Sequence, residues 1–180
     1  MGVDIKPQPH YCGDEFYQAD ALTFPLEGYD AYWASPPCQA YSINCQQWRK
    51  VGYEYPDLIE TIRKRLIETG IPYIIENVPR SPLKNPVKLN GAMFGLRVQR
   101  NRLFECSFNM PLCLLPQGLN PVKTGRPVKE GDVISPVGHF PNRAYAEKEM
   151  GIDWMTKQEL TQAIPPAYSE FIGKEMIKYV

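Results

Sequence analysis

The sequence predicts an α/β fold in which helices cover a mostly parallel sheet. Residues 29–35, "YDAYWAS", are typical of a short strand, and residues 56–70, "PDLIETIRKRLIETG", of a helix with one apolar face. Residues 72–78, "PYIIENV", indicate a second strand with a β-branched centre. A strand, a helix and a strand at this spacing form a βαβ unit, which places the two strands parallel in one sheet.

The predicted helix has recognisable ends and one apolar face. Pro56 and Asp57 suit its first turn, and Gly70 suits its end. The predicted apolar face consists of Leu58, Ile59, Ile62, Leu66 and Ile67. This spacing follows the 3.6-residue period of a helix that packs one side against a sheet.

The rest of the chain divides into a main domain and a small insertion. Residues 2–5, "GVDI", and 15–22, "EFYQADAL", suggest strands, residues 79–105 a basic loop and strand region, and residues 156–164 and 166–180 two helices separated by Pro165 and Pro166. Residues 106–152 are rich in proline and glycine and have poor periodicity. We therefore expect a main domain of residues 1–105 and 153–180, with residues 106–152 as an irregular insertion.

Composition excludes several classes of protein. The chain has 180 residues, of which 43% are hydrophobic, and its 20 basic and 20 acidic residues cancel. No segment approaches the roughly 20 apolar residues of a membrane span, and a secretory signal is lacking, so a cytoplasmic location is expected. The five cysteines form no CxxC pair, which argues against a disulfide framework or a zinc site. The zero net charge conceals a local basic cluster, which comprises Arg80, Lys84, Lys88, Arg97, Arg100 and Arg102.

Four chemically versatile side chains follow successive candidate strands. They are Asp4, Asp20, Cys38 and Glu76. Because ligands of such sheets bind beyond the carboxyl ends of the strands, we expect these residues to converge on one edge. Taken alone, Cys38 is better explained as a small buried residue than as a nucleophile, and Glu76 is equally well explained as a solvated strand end or a partner for an arginine.

Four sequence blocks, taken together, are more specific than any single residue. They are "PPCQAYS" at 36–42, "ENV" at 76–78, "QRNRLFE" at 99–105 and "QAIPPAYSEFIG" at 162–173. In this order they resemble the conserved blocks of the DNA (cytosine-5) methyltransferases, and "GVDI" and "YQADAL" resemble the acidic blocks that hold the methyl donor. The resemblance implies a Rossmann-like, S-adenosylmethionine-dependent methyltransferase sandwich, with residues 106–152 as a target-recognition insertion.

The resemblance also implies a role for individual residues. Cys38 would attack C6 of a flipped cytosine, Glu76 would bond to N3 and the exocyclic amine, and Arg100 and Arg102 would brace the base. The implied donor-binding residues are Asp4, Ile5, Asp20, Ala21 and Pro37. The implied substrate-binding residues are Gln39, Ser42, Asn77 and Val78. No metal is implied, and the expected partner is double-stranded DNA in a bacterial or phage-infected cell.

The sequence also departs from the family pattern. The family begins with a strand and a glycine-rich FxGxG turn, whereas this sequence starts at what resembles the second strand, so we expect the first strand to be missing. Val98 stands where the family has glutamine, and the insertion is short; it includes Lys123, Arg126, Lys129, His139 and Arg143, of which His139 is given no role. Two alternatives stay open: a catalytically inactive DNA-binding remnant, and a methyltransferase that acts on a free pyrimidine nucleotide. Target sequence, oligomeric state and biological role are not indicated.

Overall fold

Strands and helices alternate along the chain in the computed structural model, which describes residues 1–112, 120–122 and 126–180. The strands are β1 (Gly2–Asp4), β2 (Phe16–Gln18), β3 (Tyr32–Ala34), β4 (Tyr73–Asn77), β5 (Val87–Leu89) and β6 (Arg102–Cys106). The helices are α1 (Gln46–Lys50), α2 (Ile59–Thr69), α3 (Arg143–Met150), α4 (Lys157–Leu160) and α5 (Pro166–Met176). Short 3-10 helices span Ile43–Cys45 and Gly91–Phe94.

The described strands form two sheets. β1 and β2 pair in parallel as a two-stranded sheet, and the other four strands lie in the order β3-β4-β6-β5. β3 and β4 are parallel, whereas β6 is antiparallel to both β4 and β5. Consequently β3, β4 and β5 point in one direction and β6 alone is reversed. The α/β class is therefore confirmed.

The unit β3-α2-β4 corresponds to the predicted βαβ unit. α2 begins at Ile59, three residues after Pro56, and ends at Gly70, whose left-handed φ of 69° suits glycine. Its buried residues are Ile59, Arg63 and Leu66, spaced as one stripe. The prediction was wrong for Ile67, which is 55% exposed because it lies at the margin of this stripe. It also missed Arg63, whose charge is compensated inside the protein.

Helices cover both faces of the four-stranded sheet. One apolar cluster joins α5 to the sheet and contains Ile74, Leu89, Phe104, Phe108, Tyr168 and Ile172. The other joins α2 to the sheet and contains Ile59, Leu66, Ile75 and Leu83. Because successive residues of a strand point to opposite faces, Ile74 and Ile75 enter different clusters. This fixes β4 and its neighbour β6 between two packed layers.

The described part of the insertion contains a helix that sequence reasoning missed. α3 begins after Asn142, whose side chain accepts a hydrogen bond from the Tyr145 amide, and ends at Gly151. A third apolar cluster surrounds it and contains Val98, Ile134, Phe140, Tyr145, Ala146, Met150, Ile152 and Leu160. The insertion thus shares its core with the segments on both sides of it. Lys123 lies outside the described residues.

The two carboxyl-terminal helices begin with recognisable caps. Thr156 and Glu159 form a reciprocal capping box at the start of α4. Pro166 is the first residue of α5 rather than part of a separator, because a proline at this position sacrifices no helical hydrogen bond. In the described ranges, no helix has the length and apolar character needed to cross a membrane.

Candidate active site

Three of the predicted site residues meet at one edge of the four-stranded sheet. Cys38 lies in the turn after β3, Glu76 near the end of β4, and Arg102 at the start of β6. β6 is antiparallel to β4, with Asn77 opposite Leu103, so the start of β6 lies beside the end of β4. The parallel pairing of β3 with β4 brings the turn after β3 to the same edge.

Glu76 and Arg102 form an ion pair in this edge. The Arg102 Nε lies 2.8 Å from the Glu76 Oε1, and the side chains are only 13% and 11% exposed. Burial raises the pKa of Glu76, although Arg102, a hydrogen bond from the Ser35 side chain and the charge of Arg100 act in the opposite direction. Glu76 is therefore a desolvated carboxyl group whose proton affinity is greater than in water.

The ionisation of Cys38 depends on both partners of this ion pair. Burial is the main cause of the raised pKa of the half-buried Cys38 thiol. The positive charge of Arg102 lowers the same pKa, whereas the negative charge of Glu76 raises it, with a smaller contribution from Cys45. The pKa of the thiol consequently depends on the charges around it as well as on its burial.

Asn77 connects the end of β4 to the prolines that precede Cys38. Its side-chain Nδ2 donates to the Pro36 carbonyl at 3.0 Å, and its Oδ1 accepts from the Val78 amide at 2.9 Å. Asn77 and Pro36 are buried, whereas Pro37 between Pro36 and Cys38 is half-buried. Both polar atoms of the Asn77 side chain thus bind the protein itself, and the predicted substrate roles of Asn77 and Val78 stay predictions.

Arg49 on α1 fixes the turn that follows Cys38. Its Nη1 donates to the Gln39 carbonyl at 2.5 Å and to the Ser42 carbonyl at 2.9 Å. The Ser42 amide in turn donates to the Cys38 carbonyl at 2.9 Å, which closes one helical turn. Sequence reasoning missed Arg49, because nothing in the spacing of residues 46–50 singles it out. The predicted substrate roles of Gln39 and Ser42 are not tested by these contacts.

Arg100 lies beside the site but binds the protein with both terminal nitrogens. Nη1 donates to the Pro136 carbonyl at 3.1 Å, and Nη2 donates to the Thr161 carbonyl at 2.6 Å. Arg100 is 1% exposed, and burial followed by the charge of Arg102 lowers its pKa to about 9. Its predicted contact with a base stays a prediction.

The predicted donor-binding residues lie at the ends of the two neighbouring strands β1 and β2. The Asp4 carboxylate accepts from the Lys6 amide at 2.8 Å and from the Gln8 Nε2 at 3.0 Å. The Asp20 Oδ1 accepts from the Leu22 amide at 2.8 Å. Both carboxylates are thus oriented by their own loops.

Ile5 and Ala21 are the other predicted donor-binding residues near these strand ends. Ile5 is 68% exposed, and Ala21 is exposed with its carbonyl accepting from Arg65. Two carboxylates beside an exposed apolar side chain suit the hydroxyl, amine and ring surfaces of a nucleoside. In the described ranges, no hydrogen bond, ion pair or ring contact joins these residues to Cys38, Glu76 or Arg102.

Buried polar atoms without partners occur near the edge that carries Cys38. In the described part of the chain they include Gln39 Oε1, Ser81 Oγ, Asn90 Oδ1 and Arg100 Nε. Gln39, Ser81 and Asn90 follow β3, β4 and β5, and Arg100 precedes β6. The ends of β3, β4 and β5 and the start of β6 lie at one edge of the sheet, since Leu89 pairs with Arg102. A buried polar atom without a hydrogen bond is costly, which favours a polar ligand or water at this edge.

One cleft lies away from this site. Its volume is about 820 Å³, and its lining includes Tyr29, Tyr32, Arg65 and Ile71. Tyr32 begins β3 and Ile71 precedes β4, so the cleft lies at the opposite end of these strands from Cys38. Among the described residues, no group of three or more histidine, cysteine, aspartate or glutamate side chains could hold a metal ion.

Comparisons with known proteins leave the site to be interpreted from its own geometry. No family model matches the chain, and no curated protein matches it. The chemistry of Cys38, Glu76 and Arg102 is therefore the basis for a functional interpretation.

Proposed function

We propose that this protein transfers a methyl group from S-adenosylmethionine to C5 of cytosine in DNA through a covalent bond between Cys38 and C6 of the base. The main support is the convergence of a thiol, a desolvated carboxyl group and an arginine from three separate segments at one edge of the sheet. The proposal includes a Rossmann-like sandwich, with which two sheets and their covering helices are compatible.

Each of the three side chains has a task in this reaction. The Cys38 sulfur forms a bond to C6, the electron pair of the C5–C6 double bond moves to C5, and Glu76 holds a proton at N3. The raised pKa of Glu76 suits a group that must carry that proton near neutral pH. Arg102 remains charged and can face the O2 oxygen of the base.

Substrate binding and thiol activation are coupled in this proposal. The negative charge of Glu76 raises the pKa of Cys38 in the free protein. When Glu76 takes up a proton on binding the base, one of the influences that raise the pKa of Cys38 is removed, while that of Arg102, which lowers it, remains. Ionisation of the thiol is therefore favoured where a base is present to receive the thiolate. After methylation, loss of the C5 proton to a base expels the Cys38 thiolate and restores the double bond.

S-adenosylmethionine supplies the electrophilic methyl group when it is bound. Asp4 would hold ribose hydroxyls, Ile5 would contact the adenine ring, and Asp20 would accept from the adenine amine. Their carboxylates already stand at neighbouring strand ends, held by loop amides. The chemistry of this set of side chains therefore fits the donor.

Duplex DNA is the proposed macromolecular substrate. A cytosine inside the duplex cannot reach Cys38, so it must be flipped out at a cost of a few kcal/mol. Arg80, Lys84 and Lys88 are exposed and follow the strand that carries Glu76. Such cations provide the attraction to phosphate groups that flipping requires.

A covalent trap tests the proposal. DNA containing 5-fluorocytosine should form a denaturation-resistant adduct with the wild-type protein in the presence of S-adenosylmethionine, because fluorine replaces the proton that must leave C5. Cys38→Ala should form no adduct, whereas the control Cys45→Ala, which alters a half-buried thiol in the same segment, should still form it. An adduct that persists in Cys38→Ala would refute the assignment of the nucleophile.

Two further measurements separate the alternatives. Methyl transfer to a mononucleotide at the rate seen with an oligonucleotide would favour a free pyrimidine nucleotide as substrate. DNA binding without measurable S-adenosylmethionine affinity would favour a catalytically inactive remnant. Methylation of the oligonucleotide alone is the expected result.

A further inference from the structure

A single short segment joins the core of the insertion to the candidate active site. Val98 belongs to the apolar cluster around α3 and pairs with Ile134 in an isolated parallel bridge. The Gln99 amide donates to the Ile134 carbonyl at 2.8 Å, and the Ile134 amide donates to the Arg97 carbonyl at 2.9 Å. Arg102, only a few residues further along, pairs with Glu76. Residues 97–102 therefore belong both to the core of the insertion and to the candidate active site.

Arg100 stands at the centre of this segment and connects four parts of the chain. Its two terminal nitrogens donate to the carbonyls of Pro136 and Thr161, which lie in the insertion and directly after α4. Its own carbonyl accepts from the Tyr168 hydroxyl at 2.9 Å, which ties it to α5. Every one of these bonds is long-range in sequence, so together they fix where the segment lies.

We propose that Arg100 is a positioning residue that locks the insertion against the sheet edge and thereby holds Arg102 against Glu76. Its influence on methyl transfer rests on the proposed function, whereas its influence on the geometry of Cys38, Glu76 and Arg102 does not. This role differs from direct contact with a base, because it depends on the bonds of the two terminal nitrogens to backbone carbonyls, at a side chain that is 1% exposed.

Only an arginine can make this connection. The planar guanidinium presents separate nitrogens to two carbonyls, whereas a lysine ammonium is a single point on a flexible stem. Arg100→Lys loses one of the two bonds. A variant that leaves Arg100 and its charge in place, Ile134→Ala, separates an effect of geometry from the loss of a nearby charge.

The test uses the rate at which iodoacetamide alkylates Cys38, measured as a function of pH by mass spectrometry of the peptide that contains it. Neither DNA nor donor is needed, so failure of the methyltransferase proposal leaves the result interpretable. Arg100→Lys should shift the profile to higher pH, because Arg102 is then held less firmly near the thiol. Amide hydrogen exchange in α3 should accelerate at least tenfold in the same variant.

A second variant weakens the same connection at Ile134, within the insertion. Ile134→Ala leaves Arg100 intact but weakens the pairing with Val98, and it should shift the Cys38 profile in the same direction. The double variant should shift it no further than the stronger single variant, because both changes break one connection. Leu66→Ala is the matched control: it removes a similar buried volume from the cluster on α2 and should leave the profile in place.

Several outcomes would overturn the proposal. They are an unchanged Cys38 profile in Ile134→Ala, an equal shift in Leu66→Ala, or additive shifts in the double variant. If Arg100→Lys does not fold, Tyr168→Phe replaces it, since this change removes only the hydroxyl bond to the Arg100 carbonyl. The same shift is then expected, and its absence contradicts the proposal.

Discussion

Replacing Asn77 with alanine should loosen the turn that carries Cys38. Asn77 is 1% exposed, and its side chain makes one bond to the Pro36 carbonyl and one to the Val78 amide. Alanine makes neither bond, so the Pro36 carbonyl is left inside the protein without this donor. The link between β4 and the turn after β3 is then lost.

The expected size of the effect follows from the two lost bonds. A buried polar group left without a partner costs about 1–3 kcal/mol. Pro36 is buried, whereas Val78 is half-buried and can recover part of its loss from water, so the sum is roughly 2–4 kcal/mol. A domain of this size loses about 2–4 °C in melting temperature per kcal/mol, which predicts a decrease of roughly 10 °C.

Two assays check this prediction. Thermal or urea unfolding measures the stability of Asn77→Ala, and alkylation under native conditions measures the reactivity of Cys38, which should rise as the half-buried thiol becomes accessible. Asn44→Ala is the control, because Asn44 is exposed in the segment after Cys38 and its replacement should change stability by less than about 0.5 kcal/mol. If Asn77→Ala has the same stability and the same thiol reactivity as Asn44→Ala, the bond to Pro36 does not hold the turn.

Two further predictions concern buried charges. Glu105→Gln should destabilise the protein by about 3 kcal/mol in urea unfolding, because it leaves the buried guanidinium of Arg63 with only the exposed Glu60 as a counter-charge; a loss below about 1 kcal/mol would contradict this. Glu76→Gln should move the alkylation profile of Cys38 to lower pH, since the Glu76 charge raises the pKa of the thiol, and Arg102→Gln should move it to higher pH. Shifts of the same sign in both variants would refute the electrostatic interpretation of the site.

The sequence predicts those parts of the fold that depend on local patterns. Period and end signals located α2, and the apolar run "YIIEN" located β4, because both express burial along a continuous segment. Glu76 and Cys38 could be placed at one edge because the carboxyl ends of neighbouring parallel strands meet there. That part of the site follows from the order of elements alone.

The rest of the site depends on contacts between distant residues. The bond from Asn77 to Pro36 spans 41 positions, and the ion pair of Arg63 with Glu105 spans 42. A buried arginine on α2 contradicts the expected apolar face until its partner on β6 is known. Arg100 is the clearest case, since its sequence block suggested contact with a base, whereas its terminal nitrogens bind two carbonyls that no local pattern identifies.

The charges at the site explain why a thiol can be both protected and reactive. A permanently ionised Cys38 would be open to oxidation and alkylation, but burial and Glu76 keep its pKa raised in the free protein. Arg102 opposes both influences while it is paired with Glu76 at 2.8 Å. A ligand whose binding makes Glu76 take up a proton and donate it in a hydrogen bond removes this negative charge. In the proposed function, cytosine is such a ligand through N3, so the same contact that recognises the base also favours the thiolate that attacks it.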